Sequence, residues 1–329
     1  MYEKRTYNYY CQTCKTRLQR NGSNLTKTGR KQKWKCLGCK TNRQASRQDL
    51  TKKYQLVSFV KYLIGTQAIN DLKLASSSWQ RQIAWCWQVE PQPLVSGEIY
   101  DFLVIDAKYV GHGVCAVVKN NYVRYWLHGE RENAQLWYAA LRHLPRPRAI
   151  VVDGQKGIQK ALNYLWPDII VQRCLVHVVR NLTTKLTRHP KTVAGQDLGW
   201  LMNNIYSVAS EQDMAVFVSI FEYLYDQHRV FLNARTTNTN PLVKRSWWYT
   251  HGQVRSAYRQ LAKLLDDDQL FAFITHPDLH LPRTTNLVEA GINARLSELM
   301  LRHRGMPPTH QKRVFDWYLD SRSEWSYLD

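Results

Sequence analysis

Two sets of side chains in this 329-residue chain are spaced for metal chemistry. The first is four cysteines, in CQTC (Cys11, Cys14) and CLGC (Cys36, Cys39). Two CxxC hooks at this separation suit one tetrahedral zinc ion. Each hook is a tight turn that puts two thiolates on the ion, and the segment between them forms a short hairpin or ribbon. Four protein thiolates leave no position for water, so such a zinc would be structural. The second set is carboxylates. Asp106 follows the apolar run of YDFLVIDAKYV, and Asp153 follows that of PRPRAIVVDGQKG. Two carboxylates brought together in a cleft repel unless a cation lies between them. Their hard oxygens suit a pair of Mg²⁺ ions that clamp the attacking and leaving oxygens of an in-line displacement at a phosphodiester. Taken singly, each aspartate is an ordinary turn residue, and Asp-Gly is a turn pair. Glu289, in RTTNLVEAGINARL, has two readings. Asn286 can cap a helix with Glu289 three residues on, as in a capping box, or Glu289 can be a third ligand to the same ions. The stretch alone does not choose.

The elements that must position these residues follow from hydrophobic patterning. From Tyr100 a nearly continuous apolar run leads into Asp106. GVCAVVK and YVRYWLH come next, separated by the hairpin-prone pair Asn120-Asn121, so three antiparallel strands are expected. A helix over about Ala134–His143, a fourth strand closing at Asp153, the helix GIQKALNYLW, the short strand DIIVQ and a helix from RCLVHVVRNL complete the pattern. The order β-β-β-α-β-α-β-α is that of an RNase H-like mixed α/β sheet. There the first and fourth strands lie side by side at the centre. If Asp106 and Asp153 each end their strand, they become neighbours. Cys174 and His177 fall three apart on the next helix, hence on one face. They read either as a pair beside the site or as helix packing; a zinc there would need two further ligands that the sequence does not single out.

Charge points to a partner. Net charge is +20, and residues 1–90 carry 18 Lys/Arg against four acids. A block of that kind meets phosphate. Within the ribbon, Arg17, Arg20, Arg30, Lys31 and Lys33 are the expected DNA contacts. Leu56, Phe59, Val60, Leu63 and Ile64 recur at helical spacing up to Gly65. A short helix near Gln67–Leu72 and a third from about Trp79 to Gln88, with N-caps at Ser76–Ser78, make a helix-turn-helix. Gln80, Arg81 and Gln82 would face the major groove. Glu90 to Glu98 reads as a linker. No run of 18 apolar residues exists, so no membrane span is expected. Seven cysteines and a start without the apolar core of a signal peptide argue for a reducing cytosol.

VVDGQKGIQKALNYLWPDIIVQRCLVHVVRNL resembles the second-aspartate block of Mutator-like transposases, in the bacterial insertion-sequence branch. An Asp-Gly after a strand, an amphipathic helix, a short strand, Cys-x-x-His and Arg-Asn are all present, as Asp153, Gly154, Cys174, His177, Arg180 and Asn181. FLVIDAKYV is similar to the first-aspartate block. TTNLVEAGINARL is similar to the last block, which places the family's third acid at Glu289. The resemblance covers roughly Tyr100 to Arg304. It implies a DDE transposase in which Asp106, Asp153 and Glu289 hold two Mg²⁺ ions, with Mn²⁺ able to substitute. It implies an all-helical insertion before the last catalytic helix. Arg173, Arg180 and Arg283 are expected at phosphates, and Trp247 or Trp248 on an unpaired base. The tail RHRGMPPTHQKR, leading to a helix with Phe315, Trp317 and Tyr318, either contacts DNA or docks on the core.

The expected organisation is a zinc ribbon (1–48), a helix-turn-helix and linker (49–95), the first part of the core (96–182), the helical insertion (183–281) and the last part of the core with C-terminal helices (282–329). Terminal inverted repeats and target DNA would be the partners, with a homodimer or larger assembly on DNA and a cytoplasmic, nucleoid-associated location. Two rivals share much of the sequence evidence. One is an RNase H-like nuclease or resolvase that cuts without joining. The other is a non-catalytic DNA-binding regulator derived from a transposase.

Overall fold

A computed structural model describes residues 11, 13–26, 29–44, 48–65, 76–111, 113–239, 242, 244 and 246–327. The chain divides into two compact units, Met1–Val89 and Glu90–Asp329.

In the first unit, β1 (Leu18–Thr26), β2 (Gly29–Cys36) and β3 (Asn42–Gln44) form a three-stranded antiparallel sheet. Its small core is Cys11, Leu18 and Cys36 with Trp34 against them. A core of that size cannot hold a sheet by apolar burial alone, which is why small ribbons depend on a metal. The helix α1 (Gln48–Ile64) buries Leu56, Phe59, Val60 and Leu63. The helix α2 (Ser76–Ile83) packs Trp79 edge-on to Tyr62, at 4.8 Å between ring centres. The single helix expected from Trp79 to Gln88 is corrected here. Winding starts at Ser76, and from Ala84 to Gln88 it tightens to three residues per turn. That tightening lets Trp85 and Trp87 both reach α1, Trp85 donating to Gln55 Oε1 at 2.9 Å and Trp87 packing on Phe59 at 4.7 Å. The helix expected near Gln67–Leu72 lies outside the described residues.

The second unit is built on a five-stranded mixed sheet. Its strands are β4 (Phe102–Val110), β5 (Gly113–Lys119) and β6 (Val123–Gly129), then β7 (Ala149–Val152) after α3 (Ala134–Leu141), then β8 (Ile170–Arg173) after α4 (Lys156–Leu165). The order across the sheet is β6-β5-β4-β7-β8, with β5 antiparallel to both neighbours and β4, β7 and β8 parallel. The first and fourth strands of this unit therefore lie side by side. Side chains alternate between faces. Leu103, Ile105, Ile150 and Val152 pack with α3 and α4 through Trp137, Leu141, Ile158 and Leu162. The alternate residues, Val104 and Asp106 on β4 with Val151 and then Asp153 beyond β7, point to the opposite face.

After β8 come α5 (Leu175–Leu186), α6 (Val193–Asn203), α7 (Glu211–Gln227) and α8 (Arg229–Asn233). Then follow β9 (Arg235–Thr237), β10 (Trp247–Tyr249), α9 (Gly252–Asp266) and α10 (Ala272–Thr275). The helices enclose their own core around Leu182, Leu198, Phe217, Tyr258 and Leu261. The expectation of an all-helical insertion is overturned by β9 and β10, which pair antiparallel. Threonine pairs with aromatic residues across this ribbon, a combination that favours strands. Arg235 lies over the Trp247 ring at 4.1 Å and Arg255 over Tyr249 at 3.9 Å.

The chain returns through α11 (Asn286–Val288), a π turn over Glu289–Asn293, α12 (Ala294–Arg302) and α13 (Pro308–Asp320). Of the two readings of the tail, its helix docks. Val314, Phe315, Trp317 and Leu319 are buried, and buried Asp316 accepts from Trp126 Nε1 at 3.1 Å and pairs with His128 and Arg313.

Candidate active site

Register relates the two aspartates. β4 pairs in parallel with β7 through Phe102–Val104 and Ala149–Val151. Asp106 and Asp153 each stand two residues beyond the matched pair Val104 and Val151, so they are level on the same face. The expectation that Asp106 ends its strand is corrected. It sits mid-strand, because β5 continues to pair with β4 as far as Val110 while β7 stops at Val152.

Asp106 is held by desolvation and by its neighbours. Burial, partly offset by the Ala107 backbone N–H, pushes its carboxyl up to about 7, and the charges of Asp153 and Glu289 push the same way. Asn293 Nδ2 donates to Asp106 Oδ2 at 2.7 Å. Asp153 Oδ1 accepts from the Gln155 N–H at 2.8 Å, just before α4, whose N-terminal turn favours negative charge. Gly154 adopts φ +89°, and a Cβ there would lie 1.3 Å from Arg173 Nη2. Only glycine leaves room for that guanidinium, which donates to the Asp153 carbonyl at 3.1 Å. A further acid, Glu132, is raised by burial and by the charge of Asp153.

Glu289 opens the π turn, and a turn of this kind is a frequent device at functional sites. The capping-box reading fails in detail. Thr285, not Asn286, precedes the helix, and it makes no side-chain cap. Instead the buried Thr285 hydroxyl donates to Glu289 Oε1. His177 Nδ1 lies 3.4 Å from the same oxygen. Cys174, His177 and Glu289 place one donor atom each within 4.8 Å of one another. His177 is shifted upward, first by its hydrogen-bonding neighbour Cys174, against burial, and then by the charges of Cys174, Glu289 and Asp153. Burial pushes the Cys174 thiol up, but His177 and Thr285 outweigh it and the net direction is down. An open cleft of about 480 Å³ is lined by Asp106, Lys108, Tyr109, His177, Glu289, Asn293 and Ser297.

The remaining expected site residues divide. Arg173 is turned inward and 6% exposed, so its expected place on phosphate is replaced by the Asp153–Gly154 turn. Arg180 is exposed, with Nη1 3.5 Å from His177 Nε2. Arg283 is half-buried over Phe273 at 4.6 Å. Trp247 is half-buried in the small ribbon, while Trp248 is 39% exposed. Gln80, Arg81 and Gln82 are exposed on the side of α2 opposite buried Trp79 and Ile83. Arg17, Arg20 and Arg30 are exposed and Lys33 is half-buried; the side chain of Lys31 lies outside the described residues.

In the ribbon, Cys11, Cys14, Cys36 and Cys39 form one cluster, with Cys11 Sγ 3.4 Å from Cys39 Sγ and Cys14 Sγ 3.2 Å from Cys36 Sγ. A tetrahedral zinc–thiolate site has sulfur–sulfur edges of about 3.8 Å, so this donor set fits. Backbone N–H groups of the first hook pull the Cys11 thiol down to about 5.

Sequence reasoning missed Thr285 and Asn293. The signal for Asn293 was present: it lies four residues after Glu289, on the same helix face.

Comparison with known proteins adds a family. Residues 102–225 match a family model described as Transposase, Mutator family. A transposase for insertion sequence element ISRM3 of Rhizobium meliloti (strain 1021) is 29% identical over 123 residues. That is 35% of this chain and 30% of that protein. A transposase for insertion sequence element IS1201 of Lactobacillus helveticus is 26% identical over 125 residues, 36% of this chain and 32% of that protein. The matched part thus spans about a third of each relative's length.

Proposed function

The chain belongs to the Mutator family of insertion-sequence transposases, and on that premise we propose that it is a DDE transposase, cutting DNA at the ends of its element and joining them to target DNA. In this reading the five-stranded sheet is an RNase H-like core, and Asp106, Asp153 and Glu289 hold two Mg²⁺ ions. The observation that carries it is the shared field of the three acids. A half-buried Asp106 raised to about 7, with two like charges contributing, is the condition a divalent cation relieves. Hard carboxylate oxygens on three elements suit Mg²⁺. When bound, such ions supply a deprotonated nucleophile and charge stabilisation at the leaving oxygen.

The protein's own residues prepare that state. Asn293 fixes one oxygen of Asp106 at the cleft. Arg173 locks the turn that aims Asp153. Thr285 and His177 hold Glu289 at the rim of the cleft. Asp106 must give up its proton for the site to load, which a pKa of about 7 permits near neutral pH. Both steps are direct displacements at phosphorus, so no covalent protein–DNA intermediate is required.

The four-cysteine ribbon, with a structural zinc, and the α2 face bearing Gln80, Arg81 and Gln82 would read terminal inverted repeats. Joining two ends implies at least a dimer on DNA, in the cytoplasm with the nucleoid. A strand-transfer assay with end-containing DNA and Mg²⁺ tests the whole reading. Products joined to target support it. Cutting without joining would make the protein a nuclease or resolvase, and binding alone a regulator.

A further inference from the structure

Cys174, His177 and Glu289 form a donor set of a different chemical kind from the three acids. Their donor atoms lie within 4.8 Å of one another. His177 Nδ1 is buried and sits 3.4 Å from Glu289 Oε1. Cys174 is fully buried, and the Thr285 hydroxyl stands 3.4 Å from its sulfur while also donating to Glu289. In a tetrahedral zinc site the nitrogen–oxygen edge is about 3.3 Å and the sulfur–nitrogen edge about 3.6 Å. One edge is therefore already set, and the others need to close by no more than about 1.3 Å. A thiolate and an imidazole select zinc-like cations over Mg²⁺. Three protein ligands with a fourth position open to the cleft is the pattern of an exchangeable zinc rather than a structural one.

We propose that Cys174, His177 and Glu289 form a binding site for Zn²⁺ or a similar thiophilic divalent cation, and that filling it withdraws Glu289 from the aspartate pair and arrests the chemistry. The second half rests on the reading of Glu289 as the third acid. Binding releases the thiol proton of Cys174 to water. The imidazole binds through Nδ1 and carries its proton on Nε2. Arg180, 3.5 Å from that nitrogen and exposed, swings away into solvent. Since Arg180 opposes the bound tautomer, its removal strengthens zinc binding.

The test counts zinc on the full-length chain after gel filtration from zinc-containing buffer. Wild type retains about two ions per chain. Cys174→Ser and His177→Ala each retain about one, and Cys36→Ser loses the ribbon ion but keeps the second. Loaded with Co²⁺, the second equivalent gives visible absorption of a tetrahedral thiolate site, and His177→Ala abolishes it. In Mg²⁺-supported end cleavage, one equivalent of Zn²⁺ added to protein with a filled ribbon slows wild type at least about tenfold, while each variant is compared with its own rate before that addition and Cys174→Ser is slowed less than about twofold. One ion in wild type, or two in wild type and in both variants, would overturn the site. A count that falls as expected while zinc leaves wild-type cleavage unchanged overturns the withdrawal of Glu289. If the protein cuts no end DNA with Mg²⁺ alone, the proposed function fails, and the zinc count still decides the site.

Discussion

The ribbon and the cleft gather their donors by opposite means. In the ribbon, Cys11 and Cys39 meet across 28 positions, and each hook is closed by its own turn. In the cleft, Asn293 reaches Asp106 across 187 positions, through a sheet, an insertion and a π turn. The first site depends on local geometry and, in the proposed reading, on a zinc ion. The second depends on register between β4 and β7 and on a core large enough to hold charge out of water. Breaking a donor should therefore unfold the one and only silence the other.

The largest effect expected is in the cleft. Asp106→Asn or Glu289→Gln should lower end cleavage by at least about 10³-fold, equivalent to about 4 kcal/mol, while end binding in a gel-shift assay changes less than about threefold. An unchanged cleavage rate in both variants would reject the site. In the ribbon, Cys36→Ser should remove the structural zinc and abolish the melting of the Met1–Val89 unit, because metal binding there supplies the folding energy. Calorimetry should show the transition of the Glu90–Asp329 unit unmoved, and end binding should weaken at least about tenfold. If the small unit still melts cooperatively without zinc, the contrast fails.

Two smaller effects sharpen the comparison within the cleft. Gly154→Ala should cost about 3 kcal/mol in urea unfolding, since the methyl would displace Arg173 and φ is positive. Gly291→Ala, with nothing within 4 Å of an added Cβ, should change stability by less than about 1 kcal/mol. Asp106→Asn should stabilise the protein without added Mg²⁺. The sign follows from the raised carboxyl. Its favourable contribution is present in the protonated state at low pH and is lost as pH rises through about 7. An asparagine does not titrate, so the variant should gain about 2 kcal/mol over wild type at pH 8 and little at pH 4, the full shift being halved for partial solvent access. Equal stability at both pH values would contradict the burial argument.

How much of this was legible depended on distance along the chain. The cysteine hooks declare themselves by spacing, and Asp106 and Asp153 by the apolar runs before them. That β4 and β7 lie side by side followed from the alternation of strands and helices. Position within β4 did not, because strand length is set by the partner β5. Arg173 looked like a phosphate contact, since a positive charge in sequence carries no sign of burial; its partner is a backbone carbonyl that no pattern marks. Asn286 offered an attractive cap, but the helix begins one residue earlier and Thr285 bonds Glu289 instead. The Arg235 and Trp247 ribbon was hidden by helical periodicity on both sides. Residues whose role is set by contact with distant backbone are the ones sequence periodicity does not reach.

The central claim is that Asp106, Asp153 and Glu289 share divalent cations. Its most direct test is anomalous scattering from Mn²⁺ in crystals of the protein bound to end DNA. Manganese peaks are expected bounded by the carboxylates of Asp106 and Asp153, with Glu289 turned from Thr285 to the same ions. Manganese that avoids the aspartate pair, or Glu289 still bound to Thr285 beside a loaded site, would contradict it.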